Sequence, residues 1–87
     1  MKVSVWNTYV KRQDGLIMHF DILVSSELTD ERKIFDFGKN YLKNKSFKSE
    51  VLTSKECVFC HIEKATELME KEIKSKGYYI IEMENCN

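Results

Sequence analysis

The sequence predicts an α+β fold, a two-layer β-β-α-β-α-β chain whose mixed four-stranded sheet carries both helices on one face. Three observations lead there. Residues 16–24 (LIMHFDILV) alternate so that Leu16, Met18, Phe20, Ile22 and Val24 share one face, the period of a half-buried strand. Two later segments place apolar residues at helical spacing. The chain has 87 residues, enough for a single domain (1–87) with one thin core.

Taken in order, residues 2–10 (KVSVWNTYV) are rich in β-branched and aromatic side chains and form the first strand. Asp14-Gly15 supplies the backbone freedom for a hairpin turn into the second. With Val10 placed opposite Leu16, Trp6 falls opposite Phe20, Asn7 opposite His19 and Val5 opposite Asp21. Asn7, Tyr9, His19 and Asp21 then share a face. A helix follows, capped by Thr29 or Asp30, with Ile34, Phe37, Tyr41 and Leu42 as its buried stripe and Gly38 weakening its middle. It should end near Lys43 to Lys45. Residues 47–53 (FKSEVLT) read as a weak third strand. The segment SKECVFCHIEKA reads as a turn into a second helix from Ile62 to Lys76, where Ile62, Ala65, Met69 and Ile73 keep helical spacing. Gly77 stops it, and residues 78–85 (YYIIEMEN) form the last strand.

Composition narrows the function. Fourteen basic and fourteen acidic residues cancel, which argues against nucleic acid as a partner, even though Lys39, Lys43, Lys45, Lys48 and Lys55 make a loose basic stretch. At 43% hydrophobic and 11% aromatic the chain is too apolar to be disordered. No apolar run approaches the ~20 residues of a membrane span, and the opening MKVSVWNTYV lacks the apolar stretch of an export signal. Three cysteines is an odd number and a small one for a disulfide scaffold. The expected setting is the cytoplasm, with reduced thiols and no membrane.

Those cysteines make the first candidate site. Two cysteines separated by two residues can hold one zinc ion when a turn brings their sulfurs together. Cys57 and Cys60 would be two ligands, Cys86 a third if the last strand ends near that turn, and His61 or His19 a fourth, with His61 nearer in sequence. The competing reading is a thiol-dependent redox protein, with the Cys57/Cys60 pair at a helix N-terminus whose dipole favours thiolate. The plainest alternative is three reduced cysteines packed near the helix start. Cys57 through His61 also contain a haem-attachment pattern, but that chemistry needs export.

Asn7, Tyr9, His19 and Asp21 make the second candidate. A histidine and a carboxylate two apart on a strand face the same side, where the carboxylate can orient the imidazole as base or ligand. No nucleophile is tied to them by any motif, and a polar patch on an exposed sheet face is the simpler explanation.

Several stretches carry a resemblance to a known family: Thr8-Tyr9-Val10, Met18-His19-Phe20-Asp21, Glu56-Cys57-Val58-Phe59-Cys60-His61, and the ending from Gly77-Tyr78 through Met83-Glu84-Asn85-Cys86-Asn87. Over nearly its whole length the chain resembles a small bacterial family catalogued as domain of unknown function two-thousand-and-twenty-four. The resemblance implies a two-layer α/β fold and brings no established activity.

The expectation is a binding or assembly domain with a zinc-stapled C-terminal half, ahead of a thiol-dependent redox protein and, third, an enzyme using His19 and Asp21. A homodimer is expected as well, because the sheet face away from the helices would expose Val3, Val5, Tyr9, Ile17, Leu23, Tyr78 and Ile80.

Overall fold

Alternating β-branched and aromatic residues build a hairpin that organises the rest of the molecule. Its strands are β1 (Lys2–Lys11) and β2 (Ile17–Ser25). A computed structural model describes residues 1–87. After the hairpin come α1 (Glu31–Lys43), β3 (Cys57–Lys64), α2 (Glu67–Lys76) and β4 (Tyr79–Glu84). The strands form one sheet in the order β3-β1-β2-β4.

Every neighbouring pair is antiparallel, so the expected mixed sheet is corrected. The crossover through α1 does leave β3 running parallel to β2. It then passes over the hairpin to the free edge of β1, where the neighbour is antiparallel. β4 likewise takes the free edge of β2.

The hairpin register is shifted by two residues from the expected one: Val10 pairs with Met18, Trp6 with Ile22, Asn7 with Asp21 and Tyr9 with His19. A two-residue shift preserves the side-chain period of two, so each residue keeps its face.

The helices lie on opposite faces, not together on one. On one face, Ile34, Phe37, Tyr41 and Leu42 of α1 pack against Val10, Met18, Phe20 and Ile22. On the other, Ile73 and Met69 of α2 cover Val3, Val5 and Leu23. The reason lies in the hairpin, whose strands carry apolar residues on both faces at their Val3/Leu23 end and therefore need cover on both. Tyr78 and Ile80 belong to the α1 face, so the open apolar face on which the homodimer expectation rested shrinks to Tyr9 and Ile17.

Helix α1 is capped by Asp30, whose carboxylate accepts from Arg32 N at 3.0 Å. Gly38 is buried at its centre because a Cβ there would sit 2.4 Å from Leu52 Cδ2 and 2.9 Å from Ile22 Cδ1. What reads in sequence as a weak point is a close approach. Residues 47–53 form no strand beyond a single bridge between Arg12 and Ser49, although Leu52 reaches the core.

The third strand lies at 57–64, where a turn and the first residues of a helix were expected. Residues 57–64 (CVFCHIEK) pair with β1 from Thr8 back to Lys2. Helix α2 starts only after Thr66, whose hydroxyl accepts from Met69 N at 3.2 Å. Gly77 closes it at φ 96°, the left-handed conformation that glycine adopts without penalty. Neither helix is long and apolar enough to cross a membrane.

Candidate functional site

Helix α2 covers only the Val3/Leu23 end of its face, leaving the far end of the hairpin open. There Tyr9 and His19, directly paired across the strands, stack with ring centroids 4.1 Å apart and planes 12° from parallel. Two residues along β2, Asp21 faces the same way and pairs with Asn7. The four residues expected to share a face do share it, because the register shift was even. His19 Nε2 lies 3.5 Å from Asp21 Oδ1, and both atoms are buried without a hydrogen-bond partner. Burial pushes the Asp21 carboxyl above the ordinary carboxylate value, and the His19 imidazole beside it pulls the other way.

The electrostatic surroundings of Asp21 also include His61 and Glu63. They reach this face through a β-bulge. The β1–β3 register shifts between Val5 and Trp6, so Trp6 pairs with Phe59 and Val5 with His61, leaving Cys60 as the extra residue. Beyond the bulge, His61 Nε2 lies 3.3 Å from Glu63 Oε1, and His61 Nδ1 lies 3.1 Å from Cys60 Sγ. Glu63 was missed in the sequence because a helical reading of this segment hides the strand alternation that pairs it with His61.

The proposed metal set does not assemble, and no group of three or more histidine, cysteine or carboxylate side chains is placed to hold a metal ion. Cys57 and Cys60 lie in an extended strand. Three residues of strand separate their Cα atoms by on the order of 9 Å, beyond the ~6.8 Å limit for a disulfide. Cys57 points into the α1-side core, 1% exposed, while Cys60 is exposed. Burial raises the Cys57 thiol above its ordinary value, which opposes the thiolate that either metal binding or redox work requires. Cys86 is buried in the same α1-side core but at the opposite edge of the sheet, beyond β4, its thiol donating to the backbone oxygens of His19 and Glu84, each at 3.3 Å. His61 therefore keeps only Cys60 of its proposed partners. All three thiols are free.

Comparison with known proteins shows the family. Residues 1–83 match the sequence profile of DUF2024, a domain of unknown function. The chain belongs to the DUF2024 family. It is also similar to a solved structure, the NMR structure of protein NE1680 from Nitrosomonas europaea. The two are 41% identical, each chain is covered over 100% of its length, and the TM-score is 0.85. No curated protein matches the sequence.

Proposed function

We propose that this DUF2024 chain is a non-catalytic assembly domain that self-associates by pairing β3 with β3 of a second copy. The observation that carries the reading is the state of the two sheet edges. β3 is an eight-residue edge strand in which every residue after Cys57 is exposed. An exposed edge of that length presents unpaired backbone donors and acceptors, which natural proteins normally cover or blunt; here only the bulge at Cys60 interrupts it. Here it also carries exposed Val58, Phe59 and Ile62.

The opposite edge, β4, has six residues and is guarded. Its Glu82 accepts from Tyr41 Oη and from Lys45 Nζ, which fastens α1 alongside it.

The β3 sequence suits pairing with itself. Antiparallel pairing centred between Cys60 and His61 sets Phe59 of each copy opposite Ile62 of the other. Both residues lie on the Trp6 face, where Phe59 meets the Trp6 ring edge-on at 5.7 Å and a cleft of about 330 Å³ opens between Trp6, Leu28, Phe59 and Ile62. Strand addition would supply backbone hydrogen bonds, and these side chains would supply contact area.

Sedimentation velocity at tens of micromolar tests the reading. A species of twice 10.3 kDa is expected, collapsing to a single chain in Phe59→Lys or Ile62→Lys. Wild-type protein that stays at one chain overturns it, as does a dimer that both substitutions leave intact.

A further inference from the structure

We infer that Cys60 is a reactive thiol, activated by His61 and Glu63, and the site at which this chain is S-thiolated by low-molecular-weight disulfides. The inference starts from the bulge. In a regular strand, residues 60 and 61 would point to opposite faces and never meet. The extra residue at Cys60 re-aims the chain and brings Cys60 Sγ to 3.1 Å from His61 Nδ1.

The other ring nitrogen is also engaged. His61 Nε2 lies 3.3 Å from Glu63 Oε1. A single tautomer satisfies both contacts: with the proton on Nε2 the ring donates to the Glu63 carboxylate, and the free Nδ1 lone pair accepts from the thiol. That is the arrangement of a nucleophile, a base and a carboxylate that orients the base. Glu63, which acts through His61, is a positioning residue.

The location suits attack on an incoming molecule. In the single chain Cys60 is exposed, whereas Cys57 and Cys86 are buried, so one thiol of the three is open to reagents before any β3 pairing covers it.

The step balances. Cys60 Sγ–H gives its proton to His61 Nδ1, and the thiolate electron pair attacks one sulfur of the disulfide. A new Sγ–S bond forms, the old S–S bond breaks, and the leaving thiolate takes the proton back from His61. The products are a mixed disulfide on Cys60 and one free small thiol, with the small disulfide as the oxidant.

Oxidised glutathione serves as the probe. The reaction is followed by mass spectrometry at a dilution where sedimentation finds single chains, so failure here is separable from failure of the β3 pairing. One adduct is expected, on Cys60, and none in Cys60→Ser. An ordinary exposed thiol is only a few per cent thiolate near pH 7, so His61→Ala should slow the reaction roughly fivefold or more, with Glu63→Gln in between. Strong alkali deprotonates any accessible thiol, so near pH 10 wild type and both variants should react alike. Adducts forming first on Cys57 or Cys86, or His61→Ala reacting near pH 7 at the wild-type rate, overturn the inference. So does slowing that persists unchanged in alkali, which would mean altered access and not a lost base.

Discussion

His19 Nε2 and Asp21 Oδ1 face each other at 3.5 Å on the half-open face of the sheet, each buried and each without a hydrogen-bond partner. Strand geometry imposes this, since residues two apart on β2 must share a side and the Tyr9 ring lies flat against the imidazole. A polar pair held this way is desolvated without full compensation, and its electrostatics show in the pH dependence of stability.

Asp21 sets the sign. Burial raises its carboxyl above the ordinary 3.8, so the folded chain binds that proton more tightly than the unfolded chain does. Its contribution to stability is present at low pH and is lost as pH rises from the ordinary value through the raised one. Asp21→Asn removes this loss. The melting temperature of the variant should therefore gain on wild type as pH climbs from about 3.5 toward neutrality. A difference that stays constant with pH, or that increasingly favours wild type, would show that the imidazole outweighs burial.

Two neighbouring core residues report on the two covered faces. Phe20 is fully buried on the α1 side, with its ring 4.6 Å from Tyr41, and Leu23 is fully buried on the α2 side. Urea unfolding should show Phe20→Ala losing about 3–5 kcal/mol and Leu23→Ala about 2–5 kcal/mol. Asp21→Ala, between them in sequence, should lose much less. A small loss at Leu23 with a large one at Phe20 would restore a sheet covered on one face only.

The cysteines should behave as separate residues. Cys57→Ser buries a hydroxyl in the α1-side core and should cost about 1–3 kcal/mol. Cys60→Ser, on the exposed edge, should stay within about 0.5 kcal/mol of wild type. Adding a chelator should leave the melting temperature unchanged in all of them. A chelator-dependent drop in wild type that disappears in Cys57→Ser would reinstate a shared metal.

Gly77 in its left-handed cap, the capped start of α1 and the alternation along β2 were all legible in the chain, because each is settled by residues within a turn or a strand of one another. The sharing of one face by Asn7, Tyr9, His19 and Asp21 was legible too, and it survived a wrong register only because the slip was even. The segment CVFCHIEK was not legible. Ile62, Ala65, Met69 and Ile73 keep helical spacing while residues 57–62 are equally acceptable in a strand, so local preference left the matter open. The free edge of β1 decided it, offering backbone partners from Lys2 to Thr8 that a helix could not use. With that pairing came the bulge, the separation of Cys57 from Cys60, and the contact of Cys60 with His61. The sequence by itself determined which residues of β1 and β2 share a face, the capped start of α1 and the glycine stop of α2, but not which of those strand residues are buried or where α2 begins. Only the tertiary structure decided the strand order, the side of the sheet each helix covers and the company each cysteine keeps. Those depend on contacts between residues dozens of positions apart, whose energies leave no periodic trace in the chain.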